Sequence, residues 1–255
     1  GYLGVDIFFV ISGYLITSII LKELNFSNSF SFYYFYERRI RRIIPVLIFV
    51  IITSLPLAWI CLSPINFIDY AKSIIYSLGF SSNLYFHFSG QEYSAISGLY
   101  KPFLHTWSLS VEEQYYLFFP IILFLVFKYL NKYLHTFFLI SIILSIIFSE
   151  IGSRNFNSLN FYILPSRVWE ILLGSLVAYY ENKNILNFSK KIFYKILPFI
   201  GFALISISFL YFDHSYRHPS LITTIPIIGV LLIICFPNKN DIFYKILSSK
   251  IFFST

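Results

Sequence analysis

The sequence predicts an all-α protein, a polytopic bundle of transmembrane helices with about eight membrane segments along its 255 residues. Three observations carry that expectation. Hydrophobic residues make up 57% of the chain and charged residues only 12%, whereas a soluble domain carries about 25% charged residues. Mean hydropathy is +0.72. Apolar runs recur at 1–21, 43–63, 66–86, 109–127, 137–151, 163–180, 197–212 and 221–236, near the roughly 20 residues that span a bilayer as a helix. They run continuously apolar, which excludes a β-barrel, whose strands alternate.

Each run has its own marks. The first holds Asp6 near its start and Ser12-Gly13 one to two turns later, small residues that let helices approach closely. The second follows F-Y-E-R-R-I-R-R-I-I-P at 35–45. The third, 66–86, is weakened by Asp69 and Lys72, and the fourth opens on a polar knot at 105–120. Basic clusters at 22–42, 128–132, 183–195 and 239–250 hold five, two, four and three Lys or Arg, 14 of the 19. Placed in the cytoplasm, as positive residues are, they leave Lys101, Arg154, Arg167 and Arg217 on the other side. That tally requires an even number of crossings between 42 and 128, so by charge alone 66–86 is not a full crossing.

The chain contains no Met and begins at Gly1, so it reads as an internal fragment of a longer protein. Its first apolar run lacks the basic flank and cleavage site of a signal peptide. Cys61 and Cys235 lie in apolar segments, which predicts two buried thiols in place of a disulfide or metal site. The net charge of +7 comes in short clusters between apolar runs, a pattern for anionic lipid headgroups or phosphates, not for nucleic acid. The longest polar stretch, 87–103, is a loop: a lid, a substrate-facing loop or a plain connector.

Four constellations bear on chemistry. Asp6 is either an N-terminal acid favoured by the helix dipole or a carboxylate that orients a catalytic base. Arg38, Arg39, Arg41 and Arg42 either anchor a helix end or bind phosphate, since guanidinium forks grip it bidentately. Arg39 and Arg42, at i and i+3, share a helical face. In H-T-W-S-L-S-V-E-E-Q, residues 105–114, His105, Ser108 and Glu112 fall on one face. The outer pair stand about 10 Å apart, too far for a triad within this segment. A polar cluster that binds substrate, with Glu113 and Gln114, and orients a base from another helix fits better. Trp107 either stacks on a sugar or marks the interface. In L-P-S-R-V-W-E-I-L-L-G, residues 164–174, Arg167 and Glu170 pair within one helix, and Gly174 suits close packing. His214 and His218 stand at i and i+4 with only Asp213 nearby, which does not predict a metal site.

Together these segments resemble the membrane-bound acyltransferase family (acyltransferase 3), whose members O-acylate bacterial cell-surface glycans. The resemblance rests on G-Y-L-G-V-D-I-F-F-V-I-S-G-Y-L-I, R-R-I-R-R-I-I-P, L-H-T-W-S-L-S-V-E-E-Q-Y-Y-L-F-F-P and L-P-S-R-V-W-E-I-L-L-G, in that order. It implies a single integral-membrane acyltransferase domain over 1–255, incomplete at both ends and multi-pass in the bacterial inner membrane. It implies eight helices, with 66–86 a crossing, against the charge tally, and leaves the sidedness of 87–108 open. The donor is then an acyl-CoA, most simply acetyl-CoA, bound from the cytoplasm near Arg39 and Arg42, with no permanently held cofactor and no metal. The acceptor is a sugar hydroxyl of a lipid-linked or surface polysaccharide, such as lipopolysaccharide. The family's catalytic His precedes G-x-x-G-V-D, so here it is expected upstream of Gly1. Asp6 orients it, while His105, Glu112 and Glu113 support, and Trp107, Ser108 and Gln114 bind substrate. The alternative is a glycan-handling membrane protein that does not acylate, flippase- or polymerase-like, which needs no Arg pair at a cytosolic helix start.

Overall fold

The computed structural model describes residues 2–27, 29–90, 101–185, 191–212 and 217–236. The helices are α1 (Tyr2–Ser27), α2 (Phe32–Cys61), α3 (Pro64–Leu78), α4 (Ser82–Ser89), α5 (Thr106–Leu130), α6 (Leu134–Asn155), α7 (Asn157–Tyr162), α8 (Leu164–Asn182), α9 (Lys191–Tyr211) and α10 (Thr224–Cys235). No strand occurs among the described residues. Most of the 87–103 loop, the 239–250 basic cluster, Asp213 and His214 lie outside them. Four helical stretches are long and apolar enough to cross a membrane: Leu3–Ser27, Phe32–Cys61, Thr106–Asn155 and Asn157–Asn182. The third comprises α5 and α6, joined by a 3-10 turn at Asn131–Tyr133. Two shorter apolar helices, Ile196–Tyr211 and Leu221–Cys235, come after them.

Side-chain contacts fix the helix directions. Asp6 meets Arg167 and Asn25 meets Asn182, so α1 and α8 run parallel. Phe32 packs on Phe124 while Tyr36 donates to the Leu117 carbonyl, so α2 runs against α5. His135 bonds Tyr180 and Ser145 bonds the Pro165 carbonyl, so α6 runs against α8. Tyr194 meets Phe236 and Gly201 meets Gly229, so α9 runs against α10. One end of the bundle therefore gathers Lys22, the start of α2, Lys128, Lys132 and Lys183. The other gathers Asp6, His105, Arg154, Arg167 and Arg217.

The close approach of α1 and α8 depends on two glycines. A Cβ on Gly13 would lie 1.9 Å from the Ile171 carbonyl oxygen, and one on Gly174 would lie 1.9 Å from that of Val10. Both positions are glycine because each helix runs its backbone against the other.

The segment 66–86 is not a single helix. α3 has 15 residues, a rise of about 22 Å, short of a hydrocarbon core of roughly 30 Å. It ends at Leu78, two residues before Phe80, whose φ of 49° is left-handed. The Ser81 N–H turns back to the Tyr76 carbonyl at 2.9 Å, the bond that closes a helix through such a residue. α4 then returns the way α3 came. At the turn, Gln114, two turns into α5, donates to the Phe80 carbonyl; by His87, which bonds Ser158 of α7, the chain is back at the His105 end. Buried hydroxyls stitch this hairpin to α5: Ser77 to Thr106 at 2.8 Å, Thr106 to Ser82 at 2.9 Å and Ser82 to Ser110 at 2.8 Å. The third apolar segment is thus a hairpin whose two ends lie together, as the charge tally required. The expectation of a single through-going helix there is corrected.

The cysteines are free thiols, but they are not buried as expected: Cys61 is exposed at the end of α2 and Cys235 half-buried at the end of α10.

Candidate active site

Two neighbouring sites form where α1, α5 and their partners meet. The first is a pocket of about 190 Å³ between α1, α2 and α5, lined by Phe8, Ser12 and Leu15, by Arg39 and Arg42, and by Ser108, Glu112, Glu113 and Tyr116 among others. Helical spacing explains the set. Arg39 and Arg42 are one turn apart on α2, as are Ser108 and Glu112 on α5. The four arginines divide: Arg41 is held by Glu37 at 2.8 Å, whereas Arg39 and Arg42 have no ion pair among the described residues. The Arg39 guanidinium lies 4.8 Å from the Tyr116 ring centre and 5.8 Å from that of Phe35. Tyr116 donates a short hydrogen bond to Glu112. Glu113 keeps one buried oxygen with no hydrogen-bond partner among the described residues.

The second site is a buried charge cluster one to two turns closer to the start of α1. Arg167 Nη1 donates to Asp6 Oδ1 at 2.8 Å and lies 3.5 Å from Glu170 Oε1. All three side chains are fully buried. Arg167 Nε donates to the Phe161 carbonyl at 2.9 Å. Its guanidinium is 5.0 Å from the Trp107 ring centre and 4.8 Å from that of Phe161. His218, from the segment between α9 and α10, places Nε2 3.3 Å from Asp6 Oδ1. Burial pushes this imidazole below its ordinary pKa, against the pull of Asp6. Asp6 Oδ2, Arg167 Nη2 and both Glu170 oxygens have no hydrogen-bond partner among the described residues.

The positions singled out in the sequence divide between these sites. Arg39, Arg42, Ser108, Glu112 and Glu113 share the pocket. His105 does not join them; it stands just before α5, without a capping hydrogen bond from its side chain, and lines an adjoining cavity with Thr106 and Leu109. Asp6 is in the charge cluster, and its partner is Arg167 in place of the helix dipole. Trp107 is buried against Phe9, Phe161 and Arg167. Gln114 is spent on Asn83 and the Phe80 carbonyl. The Arg167–Glu170 pair exists as expected, and Asp6 shares it. His218 is the cluster member that sequence reasoning missed. It stands 212 positions from Asp6, and the only sequence signal was charge balance: two acids and one base in motifs that pack together.

A helical bundle with a buried carboxylate–guanidinium centre beside an Arg-lined pocket defines an integral membrane protein built for chemistry on polar groups. The chain belongs to the acyltransferase 3 family, whose acyltransferase domain matches residues 1–251. It is similar to an uncharacterized protein of Haemophilus influenzae, 37% identical over 249 residues, covering 93% of this chain and 99% of that one. It is also similar to the O-acetyltransferase OatA of Staphylococcus aureus, 31% identical over 261 residues, covering 98% of this chain and 43% of OatA. The chain therefore spans less than half of OatA. No solved structure matches it. Family membership supports acyl transfer over a flippase- or polymerase-like role.

Proposed function

We propose that the protein is an O-acyltransferase of the bacterial inner membrane. It would take an acyl group, acetyl in the simplest case, from acyl-CoA in the cytoplasm and pass it to a sugar hydroxyl of a lipid-linked or surface polysaccharide. The carrying observation is the pocket where Arg39 and Arg42, free of ion pairs among the described residues, face Glu112 and Glu113. The Arg39 guanidinium rests on the Tyr116 and Phe35 rings, which leaves its N–H fork available for phosphate. Sidedness supports the direction. The end gathering Lys22, the Arg cluster, Lys128, Lys132 and Lys183 is cytoplasmic by the distribution of positive charge. Asp6, Arg167 and His218 then face the acceptor side.

In the reaction the sugar oxygen attacks the thioester carbonyl, the C–S bond breaks, and the hydroxyl proton ends on the departing thiol. The family's histidine is the expected base. Asp6 Oδ2, which has no hydrogen-bond partner among the described residues, would orient that imidazole, as buried carboxylates do. His105, Glu112, Glu113 and Ser108 are assigned to the pocket and its adjoining cavity as supporting groups, and Trp107 and Gln114 to the walls that hold them.

The test is Arg39→Lys with Arg42→Lys in the full-length protein. A helix anchor needs only charge, so membrane abundance and orientation are expected to stay normal. A bidentate phosphate site needs the fork, so acylation of surface glycan is expected to drop to a small fraction. Unchanged acylation in a well-expressed double variant would reduce the cluster to an anchor.

A further inference from the structure

His218 is a buried imidazole with no step of its own in the transfer reaction. It reaches the charge cluster from the segment between α9 and α10, and that segment is pinned just after it from two helices. Asn160 Nδ2 of α7 donates to the Pro219 carbonyl at 2.9 Å, and the Leu221 N–H donates to Glu150 Oε2 of α6 at 3.3 Å. Ser220 Oγ turns back to the Arg217 carbonyl at 2.8 Å, and Ser220 and Thr223 close a capping box. Ser and Thr side chains bonded to nearby backbone hold a turn of this kind in place. The imidazole is thereby fixed, its side chain only 8% exposed and the Phe161 ring centre 6.1 Å away.

Its Nε2 stands 3.3 Å from an acceptor, Asp6 Oδ1, and 3.4 Å from a donor, Arg167 Nη1. The two tautomers therefore act oppositely. With a proton on Nε2 the ring donates to Asp6; without one, Nε2 accepts from Arg167. The charged groups at this contact are Asp6 on α1 with Arg167 and Glu170 on α8, two acids against one base. That excess of negative charge favours the donating form. Asp6 Oδ1 then receives two donors from two parts of the chain, Arg167 Nη1 at 2.8 Å and His218 Nε2. Oδ2 has no hydrogen-bond partner among the described residues. A carboxylate held by one donor can turn about its Cβ–Cγ bond and exchange its oxygens, because that torsion is broad and two-fold. A second donor closes off the turn.

We infer that His218 is a positioning residue for acyl transfer: with Arg167 it holds Asp6 Oδ1, which keeps Oδ2 as the oxygen that orients the catalytic imidazole. This rests on the O-acyltransferase reading with Asp6 as the orienting carboxylate, and deepens it by a residue from a distant segment. Its effect falls on turnover, since misplacing a reacting group by about 1 Å can cost about 100-fold in rate. Capture of acyl-CoA is untouched, because His218 does not line the pocket of Arg39 and Arg42.

The experiment compares His218→Gln, His218→Asn and His218→Leu in membranes carrying the full-length protein, with acetyl-CoA as the donor. Acetyl transfer to envelope glycan is followed across acetyl-CoA concentrations, and the unfolding temperature of each purified protein is measured beside it. The Gln amide nitrogen takes the place of Nε2, whereas Asn ends one methylene short and Leu has no donor. Gln is expected to keep kcat within about threefold of wild type, the scale of one neutral hydrogen bond. Asn and Leu are expected to lower kcat about 10- to 100-fold with KM for acetyl-CoA unchanged. A role in packing alone would move the unfolding temperatures and leave Gln no better than Asn. Equal kcat in all variants, Gln as impaired as Asn, or a loss confined to KM overturns the inference while acyl transfer stands. Where Leu fails to accumulate, the Gln–Asn pair decides. No turnover of acetyl-CoA or a longer acyl-CoA by the wild-type protein overturns the acyltransferase reading, and the inference with it.

Discussion

Arg167 is the residue whose loss the bundle should feel most. It is fully buried, with carboxylate oxygens at 2.8 Å from Asp6 and 3.5 Å from Glu170. At an effective dielectric of about 20, contacts of these lengths carry about 6 and 5 kcal/mol of attraction. Most of that offsets the several kcal/mol needed to desolvate each ion. Removing the cation alone is different, because the acids stay buried without it. Arg167→Met is therefore expected to cost about 3–5 kcal/mol. Asp6→Asn leaves Arg167 the Glu170 carboxylate and should cost less. Combining the two should recover part of the loss, with a coupling of about 1–3 kcal/mol, as for residues sharing one network. The measurement is denaturant or thermal unfolding of the purified full-length protein in detergent for wild type, both single variants and the double variant. Additive costs, with no coupling beyond about 0.5 kcal/mol, would show that the Asp6–Arg167 contact does not organise the α1–α8 core.

The same geometry sets three further outcomes. Gly174→Ala places a methyl 1.9 Å from the Val10 carbonyl oxygen, so α1 and α8 must part by about 1.5 Å at a cost of about 1–3 kcal/mol or more, read as a lowered unfolding temperature. Gln114→Ala strands the Phe80 carbonyl and Asn83 Oδ1 and should cost about 1–3 kcal/mol, with proteolysis of the α3–α4 hairpin rising in step. His218 is depressed by burial, so the unfolded chain binds the proton more tightly. Its contribution should leave stability intact above about pH 6.5 and lower it as pH falls, and unfolding at pH 7 and pH 5 should show a smaller difference in His218→Gln.

Much of the architecture was readable along the chain because the signals were local. Helical spacing alone placed Arg39 with Arg42 and Arg167 with Glu170, and Gly174 declared a close helix contact before its partner was known. Charge was also informative: the positions of Lys22, Lys128 and Lys183 gave the ends of the bundle and argued correctly that 66–86 does not run through it. What stayed hidden were contacts made across many residues. No periodicity links Asp6 to His218, or Asn83 to Gln114. Trp107 read either as a sugar-stacking residue or as an interface marker, and its ring lies against the buried Arg167. Arg41 and Arg42 are indistinguishable by composition, and only the position of Glu37 one turn earlier separates them.

The α3–α4 hairpin has a consequence for how such a chain can change. A segment that leaves and returns at the same face does not alter the parity of the later crossings. Lengthening, trimming or removing α3 and α4 as a unit would keep α5 and every later helix in its original orientation. Loss of a single through-going helix would invert all of them and put Arg167 on the wrong face. The hairpin is therefore a place where the lining of the His105 end can diversify while the rest of the domain keeps its direction in the bilayer.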